Sequence, residues 1–503
     1  MKNKIVRFFS LLLAVVFIAG IAVACSGGAD KPPEVTGNGG GNDGKRDDLP
    51  KLNFNGEAVK IASREFQWYY KELTVNPDEV VDIVDTAVYK RELAVNNRLG
   101  IKLENNLLAG LGKEGYEVVI NALRTDINTG DGLYDIGVNN IYHTMGHTTE
   151  ELFYDLNSFN YINTSKEYYY SQFVKNATIG NKLYAVMGDG TLSAMKFAFA
   201  TFFNQQVAAD MQIGDLYQVV LDGKWTYEYQ YNLIRDTWKD IGEQPYAMDD
   251  GDTFGLITNT VLGVDPYWSS FNLGILTPNE TNGYTITLDL KAAQSKLTSA
   301  LEKINNLFYN SNGTRILAHE SDDNEMTTTG PRLFSQNQTL FATFRLDAVE
   351  SPFLRDMPSN GYGIIPMPKF DENQKNYYTY VHDLSSVFVV SYGCAPDRHD
   401  MVGAAIECFF SESEDVRHQF FEIALKVKYQ DDENNSKMLD IIIDHIKLDA
   451  GWIYSDAANG IALCLRTLVQ AESNNFTSWY TRNQSKFVNS VEDFLTQFEF
   501  LDQ

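Results

Sequence analysis

Two imidazoles lie four residues apart at His143 and His147, in the segment HTMGH. On a helix this spacing places both rings on one face, where they could bind Zn²⁺. The segment lacks the glutamate of the HExxH motif, no third ligand is apparent, and Gly146 disfavours a regular helix. We therefore predict no zinc site in this segment.

A second candidate for metal binding is the segment DDGDTFG at 249–255, which is acidic and bears glycine like a Ca²⁺-binding loop. It lacks the glutamate that occupies the twelfth position of an EF-hand loop, so the pattern favours a solvated turn. The chain also lacks the GxSxG, P-loop and GxGxxG motifs. Its 67 acidic residues make pairs of carboxylates unavoidable, so such pairs do not indicate a glycosidase. We predict no catalytic residue, no metal and no cofactor.

Aromatic side chains are concentrated in segments that look like loops. A ring offers a flat apolar face with a polar edge, on which the CH face of a sugar can stack while Asp, Asn, Glu or Arg binds its hydroxyls. Packing in the core is the commoner role of such rings and accounts for most of them. The segments are QWYY (67–70), EYYYSQF (167–173), DPYW (265–268) and NYYTY (376–380).

The elements that would position these side chains alternate between strands and helices. Hydrophobic periodicity predicts strands at 58–63, 101–106 and 134–140, and helices at 85–100 and 114–128. This alternation implies a mostly parallel sheet that is covered on both faces.

The loop after the strand YDIGVNN is the first candidate binding site. Open α/β sheets bind ligands in the crevice outside the carboxyl ends of their strands. We therefore predict that Asn139, Asn140 and Tyr142 face a ligand.

The amino terminus has the layout of an export signal. Three basic residues precede an apolar run that ends at Ala24, and Cys25 follows. A membrane-spanning anchor is the alternative, but the run lies at the short end of the roughly 17 to 25 residues that a spanning helix needs. The stretch resembles a bacterial lipobox, which predicts a signal peptide at 1–24 and a diacylglycerol on the sulfur of Cys25.

The residues after Cys25 cannot bury a core, because they are rich in glycine, asparagine and proline. We predict a flexible tether at 25–51. A folded body would then be held at a membrane through its lipid anchor only.

Charge and cysteine content exclude several classes of protein. The net charge is −26, so a nucleic-acid backbone would repel the chain, and no basic stripe is present. With Cys25 acylated, an odd number of cysteines remains at Cys394, Cys408 and Cys464, so no disulfide framework is implied and buried thiols are expected. The roughly 450 residues after the tether suggest at least two domains or lobes.

Several longer segments, in this order, resemble the family 1 extracellular solute-binding proteins, the receptor subunits of carbohydrate ABC importers. They cover most of the chain from 53 to 449. The segments are DTAVYKRELAVNNRLGIKLE, the stretch from YDIGVNNIYHTMGH to GNKLYAVMGDGTLS, FFNQQVAADM with DLYQVVLDGKWTYE, YGIIPMPKFDENQKNYYTYV, and KVKYQDDENNSKMLDIIID.

The resemblance implies an α/β fold of the periplasmic-binding-protein-like type II, in which crossing hinge strands join two lobes around a cleft. Under this interpretation, 183–204 and 362–368 are crossings, and a third lies near SSVFVVSYGCAP. The predicted ranges are 52–190 and 363–395 for lobe 1, and 191–362 and 396–503 for lobe 2.

The resemblance also places an aromatic residue from VDPYWSSFNLG in the cleft. The Asp-Pro pair predicts a turn that leaves Tyr267 and Trp268 on a loop, where Trp268 stacks on the ligand. Packing of Trp268 in the core is the alternative. Arg345 is the next candidate, as a fork for hydroxyls, and Tyr378 is a second ring platform.

Two acidic residues complete the predicted ligand contacts. Asp189 lies in the glycine-flanked hinge GDGT, where it either accepts hydrogen bonds from ligand hydroxyls or holds a turn through its own backbone. Glu65 is the other candidate.

The function implied by the resemblance is capture of a carbohydrate and its delivery to the permease subunits of an ABC importer, without catalysis. We expect a monomer, lipid-anchored on the outer face of the cell membrane, in an envelope without a closed periplasm, which suggests a Gram-positive source. A glycan-binding or glycan-cleaving surface lipoprotein, or a receptor that feeds a sensor, are the alternatives.

Overall fold

The computed structural model describes residues 46–65, 71–110, 112–279, 283–285, 290–318, 326–358, 361–426 and 433–500. They belong to one compact unit that begins at Arg46. The predicted signal at 1–24, Cys25, most of the tether and the aromatic segment QWYY lie outside the described residues.

The strands form two main sheets and one small hairpin within the described residues. Their bounds are β1 (Glu57–Glu65), β2 (Ile101–Ala109), β3 (Ile136–Asn140), β4 (Phe199–Asn204), β5 (Phe254–Thr258), β6 (Thr277–Asn279), β7 (Gly283–Thr285), β8 (Thr314–Ile316), β9 (Thr339–Arg345), β10 (Tyr362–Ile365) and β11 (Ser386–Val390).

Helices surround the two main sheets. Their bounds are α1 (Ile83–Leu99), α2 (Gly112–Thr129), α3 (Ile141–Met145), α4 (Ser171–Ala177), α5 (Leu192–Lys196), α6 (Gln205–Asp210), α7 (Leu216–Leu221), α8 (Tyr227–Ile234), α9 (Pro266–Ser270), α10 (Leu290–Tyr309), α11 (Thr329–Ser335), α12 (Pro352–Arg355), α13 (His399–Ser411), α14 (Glu414–Lys426), α15 (Glu433–Asp444), α16 (Ala450–Ile453), α17 (Cys464–Gln470) and α18 (Phe476–Phe500). Short 3-10 helices span Pro77–Glu79, Leu156–Ser158, Leu346–Glu350, Pro396–Arg398 and Ile461–Leu463.

The first sheet has the strand order β11, β3, β1, β2. β1 lies parallel to β2 and to β3, and Ile61 is beside Asn105 on one side and Ile136 on the other. β11 runs antiparallel to β3, with Phe388 beside Val138. The carboxyl ends of β1 and β3 therefore meet at one edge of the sheet.

The elements predicted from hydrophobic periodicity are present. For α1, capping residues in the local sequence define where the helix begins and ends. The carboxylate of Asp82 accepts a hydrogen bond from the backbone N–H of Asp85 at 2.8 Å and caps the start of α1. Gly100 ends α1 in the left-handed conformation, with φ of 61°. The predictions confirmed are the strands at 58–63, 101–106 and 134–140 and the helices at 85–100 and 114–128.

The second sheet has the strand order β10, β4, β9, β5, β8. β5 is parallel to β8 and β9, whereas β4 runs antiparallel to β9 and to β10. The carboxyl ends of β5, β8 and β9 therefore lie at the same edge as the beginning of β4, next to Phe199.

Two segments carry the chain between the sheets. The first leaves the first sheet at Val186, which is bridged to Phe388, and enters the second sheet in β4. The second leaves β10 and reaches β11, and it touches the first segment through a bridge between Ala198 and Val381. The predicted crossings at 183–204 and 362–368 overlap these two segments.

The two helices that follow β11 pack with the first sheet and its helix α1. SSVFVVSYGCAP, near which we predicted a third crossing, contains β11 itself. α13 packs against α1 and β1, and α14 packs against α1, although the predicted division gave 396–503 to lobe 2. Because β11 is an edge strand of the first sheet, the helices that follow it begin beside that sheet. Their contacts favour lobe 1 for α13 and α14. The other lobe bounds stay predictions.

Cys394, Cys408 and Cys464 are buried free thiols, as expected. Within the described ranges, no helix combines the length and hydropathy that a membrane span requires.

Candidate functional site

The carboxyl ends of β1 and β3 border a small polar cavity of about 10 Å³. Its polar lining residues are Ser63, Arg64, Glu72, Asn139, Asn140 and Ser386. The predicted residues Asn139 and Asn140 thus lie together at the predicted edge of the sheet. Two charged side chains that the sequence analysis did not identify, Arg64 and Glu72, line the same cavity.

Glu72 is the most enclosed charged group of this cavity. Its carboxylate accepts hydrogen bonds from the backbone N–H and the hydroxyl of Ser193, at 2.9 and 2.8 Å, and from the hydroxyl of Ser386 at 2.7 Å. Burial raises the pKa of Glu72, and these donors oppose that rise. Ser193 belongs to α5, so Glu72 ties the first sheet to the first crossing.

Tyr116 contacts two residues that line this cavity, Arg64 and Asn139. The guanidinium of Arg64 lies 4.3 Å from the centre of its ring, and the ring of His143 stacks on it at 5.1 Å. Asn139 donates to the carbonyl of Tyr116 at 3.2 Å, and Asn140 donates to Asn139 at 3.3 Å. The amides at the end of β3 are therefore held in fixed orientations.

A larger cavity of about 210 Å³ lies at the carboxyl edge of the second sheet. The predicted residue Arg345 lines it and forms an ion pair with Asp347, with N–O distances of 3.0 and 2.6 Å. The hydroxyl of Thr343, also in the lining, has no hydrogen-bond partner within the described residues. Other lining residues are Phe199, Leu262, Pro331, Phe344 and Glu350.

α5 connects the two cavities. Ser193 near its start binds Glu72 of the first cavity, and Lys196 at its end forms an ion pair of 2.8 Å with Glu350 of the second. Arg345 lies 4.5 Å from the ring of Phe197, the next residue. The first crossing thus spans the distance between the two sheet edges.

A charged cluster adjoins the crossings. Arg466 donates to both oxygens of Asp265, at 3.0 Å from Nε and at a shorter distance from Nη2. Burial raises the pKa of Asp265, and Arg466 opposes that rise. Burial also acts against ionisation of Asp383, but His382, Arg466 and nearby His143 hold the pKa of Asp383 below its usual value.

The predicted residue Tyr142 lies at this cluster. Its hydroxyl donates to Asp456 at 3.4 Å, and burial together with Asp456 and Asp383 raises the pKa of Tyr142. Tyr142 belongs to α3, the helix that follows β3 of the first sheet, whereas Asp383 lies in the second segment between the sheets. Tyr142 therefore contacts this cluster from the side of the first sheet.

Two tryptophans lie under the same cluster. Trp268 is 1% exposed, and its Nε1 donates to Asp449 at 2.7 Å. Trp452, whose ring is 6.5 Å away and 4% exposed, has an Nε1 without an acceptor among the described residues. The expectation that Tyr267 and Trp268 lie on a loop was wrong, because Pro266 starts the short helix α9 and both rings are buried.

Asp189 lies apart from both cavities. It is buried, and its oxygens face Arg46 at 2.8 Å and Arg417 at 3.4 Å. Burial raises the pKa of Asp189, and the two arginines oppose that rise. The carboxylate is therefore engaged by arginines and not by its own turn.

Tyr378 and Glu65 are the remaining predicted contacts. The ring of Tyr378 is half-buried, and the ammonium of Lys447 lies 4.5 Å from its centre. Glu65 ends β1 and is exposed. Neither of them lines the two cavities.

The other motifs have structural roles. His143 and His147 contact different oxygens of Glu117, at 2.7 and 3.1 Å, but the described residues contain no group of three or more side chains that could hold a metal ion. DDGDTFG forms the predicted turn, with Asp250 and Gly251 exposed, whereas Asp252 is buried because it accepts hydrogen bonds from Trp238 and from backbone N–H groups of its loop. The tyrosines 168–170 lie in a loop before α4, as the pattern of EYYYSQF predicted, but their rings are buried in the core.

Sequence reasoning missed Arg64, Glu72, Asp383 and Arg466. Arg64 had a signal, since a charged residue directly follows the apolar strand AVKIAS. The other three carry no local signal, because their partners are distant in sequence.

Comparisons with known proteins rest on structure. No protein-family model matches the chain, and no curated protein matches its sequence. A cyclo/maltodextrin-binding protein complexed with maltotetraose superposes with a TM-score of 0.53 and 12% identity, over 89% of this chain and 98% of that chain. This similarity confirms the predicted fold, with two α/β lobes of the periplasmic-binding-protein-like type II.

Two further solved structures are similar. The galacto-N-biose-/lacto-N-biose I-binding protein of Bifidobacterium longum has a TM-score of 0.49 and 10% identity, over 88% of this chain and 98% of that chain. A sugar transporter protein of Rhizobium etli in an open conformation has a TM-score of 0.49 and 11% identity, over 86% and 99%.

Proposed function

We propose that this chain is a solute-binding protein that captures a carbohydrate between its two sheets and delivers it to an ABC importer. The observation that carries this proposal is the pair of cavities at the carboxyl edges of two α/β sheets, joined by α5 of a crossing. Ligands of open α/β sheets bind at such edges, and closure about crossing segments sandwiches them. The fold shared with a protein complexed with maltotetraose supports the same ligand class.

The chemistry of the two edges suits a sugar. Fixed amides and a guanidinium at the first edge offer donors and acceptors for hydroxyls, whereas the second edge offers apolar surface and the fork of Arg345. We propose Asn139, Asn140 and Arg345, which line the cavities, as the leading ligand contacts, and Tyr142, which lines neither cavity, stays a prediction. Trp268, Asp189, Tyr378 and Glu65 stay predictions, since their present partners or positions favour them less.

We also propose that the mature chain is a monomer, held by a lipid on Cys25 at the outer face of a Gram-positive cell membrane. The lipobox-like sequence and the glycine-rich tether support this part. Labelled palmitate should enter the wild-type chain in a bacterial host and be absent from Cys25→Ala. Incorporation that persists in the variant would contradict the anchor.

Binding is tested by melting the protein against a panel of mono- and oligosaccharides that includes maltotetraose. A ligand at 100 times its Kd adds about 2.7 kcal/mol of stability, so a true ligand should raise Tm clearly. Asn139→Ala should reduce that rise, while Glu79→Ala serves as an exposed control outside the cavities. Conversion of an oligosaccharide to products would favour a glycan-cleaving lipoprotein instead, and no shift with any sugar would contradict the proposed ligand class.

A further inference from the structure

Two lysines share one asparagine on the second lobe. The ammonium of Lys296, on α10, donates to the backbone carbonyl of Asn272 at 3.0 Å, and the ammonium of Lys447, after α15, donates to the side-chain oxygen of the same residue. Both lysines are half-buried. Within the described parts of the chain, neither forms an ion pair.

This arrangement is unusual for so acidic a chain. The net charge is −26, so carboxylates to neutralise an ammonium are abundant. Two cations that converge on one neutral residue instead repel each other, and half-burial weakens the screening by water. Burial lowers the pKa of both lysines, and Lys296 and Lys175 lower the pKa of Lys447 further, while Asp371 and Asp449 oppose these shifts from outside ion-pair distance.

Aromatic rings hold the two ammonium groups in place. Lys296 lies 5.4 Å from the centre of Phe370, and Lys447 lies 4.5 Å from the centre of Tyr378. Asn272 itself has a left-handed backbone, with φ of 52°, two residues after the end of α9. The positions of the two charges are therefore fixed before any partner arrives.

Capping of α9 explains only part of this geometry. Lysines near the carboxyl end of a helix bind its last carbonyls, which accounts for the contact from Lys296. Lys447 binds the side chain of Asn272 and not a helix carbonyl. Helix capping therefore does not explain why a second cation lies at this place.

We propose that Lys296 and Lys447 form a binding site for one oxyanion, a phosphate or a carboxylate, which bridges the two ammonium groups. Charge-assisted hydrogen bonds from two donors to one anion are short and strong, and they remove the repulsion between the cations. The site lies outside both sheet-edge cavities, since neither lysine lines them. It therefore uses a part of the chain different from the two proposed sugar-binding edges.

The experiment is a melting titration of the full chain with inorganic phosphate, against potassium chloride of equal ionic strength. Phosphate at about ten times its Kd should raise Tm by roughly 2 °C. Lys296→Met and Lys447→Met should each abolish that rise or weaken phosphate at least fivefold. Lys447→Arg keeps the charge and should retain it.

Lys303→Met is the matched control. Lys303 also lies over Phe370, at 5.0 Å, but its ammonium is already paired with Glu228. Its loss changes the net charge equally, yet the phosphate effect should persist. Near-ultraviolet circular dichroism checks that each variant is folded.

Two further probes identify the source of the anion. Glycerol phosphate represents a phosphate-bearing headgroup, and glucuronate represents an acidic sugar. Whichever of these two probes and inorganic phosphate binds most tightly identifies the source of the anion. An equal Tm shift in the wild type and both methionine variants would overturn the site. So would the absence of a shift with all three probes.

Discussion

The carboxyl edges of the two sheets are built in different ways. At the first edge, polar groups hold one another, because the carboxylate of Glu72 accepts from Ser193 and Ser386, and Asn140 donates to Asn139. The space left there is about 10 Å³. This edge is therefore part of the buried polar core.

The second edge is more open. Its cavity of about 210 Å³ is lined largely by apolar side chains around the ion pair of Arg345 with Asp347, and the hydroxyl of Thr343 has no partner within the described residues. Removal of a group from a satisfied network leaves its partners unpaired, whereas removal from an open cavity leaves space. Substitution of Glu72, whose carboxylate is the acceptor of that network, should therefore lower folding stability most, and substitutions at the second edge should lower affinity.

Glu72→Ala should have the largest effect. It leaves the hydroxyls of Ser193 and Ser386 without their acceptor and removes the carboxylate that faces Arg91, so the free energy of unfolding should fall by about 3–5 kcal/mol. Urea denaturation measures this loss. A change below about 1 kcal/mol would show that the first edge is not a structural network.

Trp268 and Trp452, which lie under the charged cluster, differ in whether the indole N–H has an acceptor. Trp268→Phe removes the donor to buried Asp449 and should cost about 1–3 kcal/mol of stability. Trp452→Phe removes an N–H that has no acceptor among the described residues, so stability should change little. Urea denaturation of both variants measures the difference, and equal stability losses would contradict the distinction.

Arg345→Met should weaken sugar binding at least tenfold, which corresponds to about 1.4 kcal/mol. The guanidinium is the hydrogen-bonding fork of the larger cavity, and its present partner Asp347 is also in the lining. Calorimetric titration measures the affinity. Arg332→Met, which breaks an ion pair with Asp250 outside the cavities, is the control and should bind normally.

The smallest expected effect is a pH dependence at the first edge. Burial raises the pKa of Glu72 above its usual value of 4.5, so the folded state retains a proton that the unfolded chain releases. The stability that Glu72 contributes is therefore greatest below pH 4.5 and declines as the pH rises through the folded pKa. The difference in unfolding free energy between wild type and Glu72→Gln should follow this decline, and a rise with pH would refute the sign.

Local sequence was sufficient for much of the first lobe. The alternation of apolar residues gave the period of each strand and helix, and Gly100 gave the end of α1, because these features depend on residues a few positions apart. The same logic placed Asn139 and Asn140 at a sheet edge, since the last residues of a parallel strand lie there.

Tertiary structure alone decided which charges and rings meet. Asp265 pairs with Arg466, Asp189 with Arg417, and Trp268 with Asp449, across separations of 201, 228 and 181 residues. No periodic pattern encodes such pairs, because their closeness follows from how the two sheets and their crossings pack. The sequence therefore determined the elements and the sheet edge at which we propose that a ligand binds, whereas packing determined that Trp268 is enclosed and that Asp189 is bound by arginines.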